Sequence, residues 1–172
     1  MSEEHLGARL MRQPRAAIIA TMAAGLVLAT PAISAEITGS VRVIDGDTLE
    51  LAGNRIRLWG IDAPETRQTC EGRQGQTYEC GRDSKAVMTE LTRDRVVTCE
   101  PRDEDRYGRT VAVCRTEAGD INAAIVRRGW AVDWPRYSQG AYSREQEAAR
   151  QDGLGIWAGR FQMPWDWRRE HP

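Results

Sequence analysis

Three short stretches hold the residues best suited to chemistry: Asp45-Gly46-Asp47-Thr48, then Arg57-Leu58-Trp59-Gly60-Ile61-Asp62-Ala63-Pro64-Glu65, then Asp105-Arg106-Tyr107-Gly108-Arg109. They supply two carboxylates, Asp47 and Asp62, for a hard cation, which takes oxygen ligands. Glu65 follows Pro64, whose ring restricts the backbone just before it. A carboxylate near a metal that is not itself a ligand can accept a proton from an attacking water. Arg57 and Arg109 carry the planar guanidinium fork that grips two phosphate oxygens at once. Such a group stabilises the negative charge that a phosphodiester gains as water adds. Arg106 and Tyr107 suit a terminal phosphate or stacking on a base. The set is a kit for metal-assisted cleavage of a phosphodiester. Each member has a plainer reading when taken singly: Asp45-Gly46 as a hairpin turn, Asp62 as a turn before Pro64, Glu65 as a surface acid, Arg57 as a solvated strand residue. Arg109 could pair with Asp103, Glu104 or Asp105 in its own acidic turn.

The elements that must position these residues follow from periodicity. Residues 37–44 read as a strand with Val41 and Val43 on one face, Asp45-Gly46 as a turn, and 48–51 as a second strand with Leu49 and Leu51 inward. Gly53-Asn54 turns into a third strand, 55–61, with Ile56 and Leu58 on one side. Residues 66–82 show no periodicity and predict a loop. A helix follows, capped by Asp83 or Ser84, with Val87, Met88 and Leu91 as its buried stripe. Residues 95–100 and 110–115 predict two strands around a polar turn, 101–109. Asp120 caps a second helix, 121–128, stopped by Gly129. Ser143-Arg144-Glu145-Gln146 has the capping-box pattern for a third helix, ending near Gly153. The tail with Trp157, Phe161, Trp165 and Trp167 is expected to pack back over the body. The sum is an α+β chain, mainly β: a five-stranded OB-type barrel with three packed helices.

Residues 1–35 stand apart. Arg9, Arg12 and Arg15 precede an uncharged apolar run that closes on Pro31-Ala32-Ile33-Ser34-Ala35, the pattern of a cleaved signal peptide. Its apolar core is shorter than the roughly 20 residues a membrane anchor uses, so no stable membrane insertion is expected after cleavage. The expected mature domain, 36–172, has 137 residues, enough for one core. Its formal charge moves from −1 to −2, against the basic balance usual in nucleic-acid binders, although a net charge can hide a local basic groove. Cys70, Cys80, Cys99 and Cys114 make an even count in an exported chain, which reads as two disulfides. Three pairings are possible. Cys99–Cys114 is favoured because the two flank a turn on strands that should pair, leaving Cys70–Cys80 to close a loop. The spacings are too wide for a zinc site.

The order IDGDT, RLWGIDAPE, DRYGR and INAAIVRRGWA resembles the thermonuclease family, the staphylococcal-nuclease-like domains, over roughly residues 37–160. The resemblance implies the OB barrel, and calcium held by Asp47 and Asp62, with the Ala63 carbonyl as a further ligand. It implies Glu65 as the base-like residue, Arg57 and Arg109 as clamps on the phosphate and transition state, and Arg106 and Tyr107 as nucleotide-phosphate contacts. It also implies cleavage of DNA, RNA or both with little sequence preference, leaving 3′-phosphates. A tyrosine expected after the second helix has no clear equivalent: Pro135 stands there, with Trp134 and Tyr137 nearby, and Tyr137 is taken as the substrate contact. The expectation is a periplasmic or secreted, monomeric, calcium-dependent nuclease. Its rivals are a non-catalytic OB-type module binding oligonucleotides or protein, and a disulfide-stapled structural protein.

Overall fold

The alternating valines of the first strand do not make one uninterrupted ladder. In the computed structural model, which describes residues 35–172, they form β1 (Ile37–Gly39) and β2 (Val41–Val43), divided by Ser40. The expected signal peptide lies, but for its last residue, outside the described residues. β3 (Thr48–Leu51) and β4 (Asn54–Leu58) complete the expected meander, with Val43 opposite Leu49 and Thr48 opposite Arg57. Period-two alternation puts Leu49, Leu51, Ile56 and Leu58 in the core, all fully buried. The predicted third strand stops early: Trp59-Gly60 breaks it, and Ile61 and Asp62 form a separate β5.

The 66–82 segment is more ordered than a loop. It contains a small hairpin of β6 (Cys70–Glu71) and β7 (Thr77–Tyr78), tied by the Cys70–Cys80 disulfide. α1 (Cys80–Thr92) starts before the predicted caps, and Asp83 falls inside its first turn. It buries Met88 and Leu91, while Val87 is partly buried beside them. β8 (Val97–Glu104) and β9 (Thr110–Thr116) form a longer hairpin than predicted, because the strand runs on through a register shift between Pro101 and Asp103. Cys99 and Cys114 stand opposite each other on it and form the second disulfide, with Cα atoms 4.0 Å apart.

β10 (Gly119–Asp120) leads into α2 (Ile121–Arg127), which Asp120 caps as expected by accepting from the Ala123 N–H at 3.0 Å. β11 (Val132–Asp133) pairs with β5, Val132 opposite Asp62. The short α3 (Pro135–Ser138) precedes α4 (Ser143–Gln151). The predicted capping box at Ser143 does not form, for Gln146 Oε1 instead accepts from the Asp133 N–H at 2.9 Å. A 3₁₀ turn (Gly155–Ala158) and α5 (Pro164–Glu170) end the described chain.

The fold is mixed α+β. Its main sheet has seven strands in the order β1-β8-β9-β4-β3-β2, with β10 beside β9, and β4 runs parallel to β9 while the other pairs are antiparallel. Both ends of that order belong to the one run 37–43. The described residues carry five α-helices rather than three; α3 is too short to show periodicity, and α5 has no apolar stripe of helical period. Of the aromatic tail, Trp157, Phe161 and Trp165 pack back as expected, with Met163, around Cys70, Cys80, Val132 and Ile156, whereas Trp167 stacks on His171. Among the described residues no helix is long and apolar enough to cross a membrane.

Candidate active site

The turn before β3 is shaped by contact with α1. A Cβ on Gly46 would lie 2.0 Å from Ser84 Oγ and 2.7 Å from the Ala63 Cβ, so only glycine lets α1 approach this closely. The Asp47 N–H donates to Asp45 Oδ1 at 3.0 Å, and the side chain of Asp47 turns inward, 2 % exposed. Its Oδ2 accepts from the Ala63 N–H at 2.7 Å; its Oδ1 accepts from the Thr48 hydroxyl at 3.2 Å and from Arg57 Nη1. The cross-strand pairing of Thr48 with Arg57 makes this contact possible. Arg57 Nη2 then donates to Asp62 Oδ1 at 2.5 Å and to the Ile61 carbonyl at 3.4 Å. One guanidinium therefore joins two buried carboxylates from different elements.

Glu65 stands one step outward. Its backbone lies tight on α1: a Cβ on Gly81 would fall 1.7 Å from the Glu65 carbonyl oxygen. Its N–H donates to Oε1 of the fully buried Gln68 at 3.2 Å. Its carboxylate accepts from Arg168 Nη1 at 2.7 Å, and the same Nη1 reaches Asp62 Oδ1 at 2.9 Å while Nη2 reaches Asp62 Oδ2 at 2.9 Å. The Glu65 and Arg168 side chains are 31 % and 33 % exposed, whereas that of Asp62 is wholly buried. Arg168 lies on α5, 106 residues from Asp62. Sequence reasoning missed it, and nothing in Trp165-Asp166-Trp167-Arg168 marks the arginine as different from the exposed Arg169.

This network holds Asp45, Asp47, Asp62 and Glu65 against only two guanidinium groups. Burial first, and the crowding of negative charge second, shift two of these acids upward. Burial, then the neighbouring Asp47, pushes Asp45 up to about 7. Burial, then Asp47, pushes Asp62 up to about 6, although Arg57 and Arg168 pull the other way. Burial disfavours the charged form of Arg57, but Asp47 and Asp62 outweigh it and hold the guanidinium above its ordinary value. Arg168 is held above its ordinary value by the same contest, with Asp62 and Glu65 outweighing burial.

Among the described residues no three His, Cys, Asp or Glu side chains converge as a ready-made metal cluster. The donor set nevertheless fits a hard divalent cation. A carboxylate has about four lone-pair sites, and the recorded bonds leave one on Oδ2 of Asp47 and one on Oδ2 of Asp62 open. A calcium ion takes 6–8 oxygens, so backbone carbonyls or water would supply the rest. The surplus of buried acid is what such a cation would neutralise.

The other candidate residues lie in two separate groups. On the turn between β8 and β9, Arg109 Nε donates to Asp105 Oδ2 at 2.7 Å, so of its three possible acidic neighbours it takes Asp105. Tyr107, 68 % exposed, has Arg106 4.8 Å and Arg109 5.6 Å from its ring centre, and Arg106 Nη2 donates to its hydroxyl at 2.6 Å. Among the described residues no hydrogen bond or ion pair joins this turn to Asp47 or Asp62, although Arg109 immediately precedes the stretch of β9 that lies beside β4. Tyr137 is half exposed and packs edge-on against Trp134 at 4.5 Å. Trp134 in turn stacks on Trp165 and lies 5.6 Å from the Arg168 guanidinium.

The class defined by this geometry is an α+β domain that holds buried acids braced by arginines and carries, as a separate group, an exposed arginine–tyrosine turn. The family described as staphylococcal nuclease homologue matches residues 55–159, and the chain belongs to that family. It is 39 % identical over 142 residues to the succinoglycan biosynthesis protein ExoI of Rhizobium meliloti (strain 1021), covering 81 % of this chain and 74 % of that protein. It is 33 % identical over 178 residues to a micrococcal nuclease of Shigella flexneri, covering 92 % and 96 %. It is 34 % identical over 137 residues to an uncharacterized endonuclease of Haemophilus influenzae, covering 76 % and 71 %. Arg57, Asp62, Glu65 and Arg109 fall inside the family match; Asp47 precedes it and Arg168 follows it.

Proposed function

We propose that the protein is a calcium-dependent nuclease that hydrolyses phosphodiester bonds of DNA, RNA or both with little sequence preference, leaving 3′-phosphates. The observation that carries this reading is the single network of Asp47, Arg57, Asp62 and Glu65. Arg57 bonds directly to Asp47 and Asp62, and Arg168 links Asp62 to Glu65, a further, partly exposed acid. The nuclease names of two of the relatives support the same reaction.

In this reading Asp47, Asp62 and the Ala63 carbonyl hold calcium, which when bound supplies a positive charge to offset the anionic phosphate and the nucleophile. Glu65, accessible to solvent, accepts the proton of the attacking water. Arg57 spends three of its five N–H donors on Asp47, Asp62 and Ile61. Its remaining donors face the phosphate from a fixed position, so they stabilise developing charge without reorganisation. Arg109 clamps the phosphate from the side by exchanging Asp105 for substrate, with Arg106, Tyr107 and Tyr137 as contacts for the flanking nucleotides. The sheet is read as an OB-type barrel, closed through the shared run 37–43. The two disulfides support an exported, periplasmic or secreted location, and the active unit is read as a monomer.

The test uses purified, oxidised 36–172 on single-stranded DNA, double-stranded DNA and RNA, with calcium, with magnesium and with a chelator. The expected outcome is calcium-dependent cleavage that the Glu65→Gln variant abolishes. Oligonucleotide binding without cleavage under every condition would instead make the domain a binding module.

A further inference from the structure

α5 is fastened to the body by contacts other than Arg168. Pro164 is buried, Trp165 stacks on Trp134 with ring centres 5.8 Å apart, and the preceding Gln162 carbonyl accepts from Gln68 Nε2 at 2.7 Å. This docking brings the Arg168 guanidinium to Asp62 and Glu65 with Trp134 beside it. The fork holds both oxygens of Asp62, and because a guanidinium is rigid and planar, that grip fixes where Nη1 stands. Among the described residues Nη1 is also the one hydrogen-bond partner of the Glu65 carboxylate. The backbone of Glu65 is anchored by Gln68 and Gly81, but its side chain is held by Arg168. Two adjacent carboxylates repel, and Arg168 is the cation that lies between them.

We infer that Arg168 is a positioning residue that sets the Glu65 carboxylate against Asp62, which makes the C-terminal helix a working part of the active centre. The inference rests on the nuclease reading above. It assigns Arg168 no contact with substrate: its effect passes through Glu65.

Arg168→Ala, Arg168→Lys and Trp165→Ala in the oxidised protein test it. Cleavage of a DNA or RNA oligonucleotide at saturating calcium gives kcat and KM, and calorimetric titration with calcium alone, without nucleic acid, gives the metal affinity. Arg168→Ala is expected to lower kcat by at least about 10-fold, the usual scale for a lost orienting partner, with KM within about threefold. Its calcium affinity is expected to hold or rise, since a like charge beside Asp62 has gone. Arg168→Lys keeps the charge but not the fork, so it should recover part of kcat. Trp165→Ala, which removes the stacking that seats α5, should shift kcat in the same direction by less, and serves if Arg168→Ala does not fold. Unchanged or raised kcat in Arg168→Ala would overturn the inference and make Arg168 a plug over the acids. A parallel loss of kcat, KM and calcium affinity would overturn it too, as a general loosening. A wild type that cleaves nothing under any metal condition would remove the nuclease reading and this inference with it. A wild type that cleaves as fast as Arg168→Ala removes this inference alone.

Discussion

The buried acids and the arginine–tyrosine turn are built on opposite plans. Asp47, Arg57, Asp62 and Arg168 come from separate elements, and each is held by bonds that reach across the fold. Asp105, Arg106, Tyr107 and Arg109 come from five consecutive positions, and their bonds stay within the turn. The first group is fixed before any ligand arrives, whereas the second can exchange Asp105 for another anion at small cost. Preorganised charge suits the bond being broken, and adaptable charge suits holding a polymer of varied sequence. On the proposed function the two plans also divide stability from activity: the network is expected to bear on both, and the turn on activity alone.

The largest test of that division is Arg57→Ala. It leaves Asp47 and Asp62 buried with one charge partner fewer, a loss that typically costs about 3–5 kcal/mol, and it removes the group proposed as the inner phosphate clamp. Urea unfolding of the metal-free protein should show the destabilisation, and turnover of the folded variant should fall by roughly 10²-fold or more. Wild-type turnover in folded Arg57→Ala would break the assignment of the site. Glu65→Gln should fall by about the same factor in turnover, because general-base assistance is worth roughly 10²–10⁴-fold, yet leave the unfolding midpoint close to wild type. Arg109→Ala sharpens the contrast from the other region. Its ion pair with Asp105 is partly exposed, and such pairs contribute about 1 kcal/mol or less, so the denaturation curve should barely move while turnover drops by roughly 10–10²-fold. A clear loss of stability in this variant would show that the turn is a structural strut. The smallest effect belongs to Tyr107→Ala: a few-fold rise in KM for single-stranded substrate, about what the loss of one stacking surface gives, with kcat unchanged.

The sequence discloses the two regions unequally, and for the same reason that they differ in build. The arginine–tyrosine turn is local, so its residues and its internal pairing to one of three nearby acids could be read from order along the chain. Asp47, Arg57 and Asp62 could be read as chemistry because strand alternation and turn residues set them on or beside neighbouring strands, and Glu65 follows Asp62 by three positions. Arg168 could not, since the contact depends on how a Trp-rich tail folds back, and side-chain stacking leaves no periodic mark. The meander, the second helix with its Asp120 cap and both disulfide pairings followed from local rules. The errors arose where a side chain was engaged elsewhere, as Gln146 is by Asp133, or where an element was too short to have a period, as in α3 and β5.

The parallel contact between β4 and β9 carries a kinetic consequence. Hairpins such as β3–β4 and β8–β9 close over a few residues and can form early, but β4 meets β9 only when Ile56 finds Thr110, and Asp62 meets Arg168 only across 106 residues. Contacts so distant along the chain form late, because closing a long loop costs entropy before any contact repays it. A molecule still folding would therefore have its scaffold before its charged centre, and Glu65 would gain its partner only once α5 has docked.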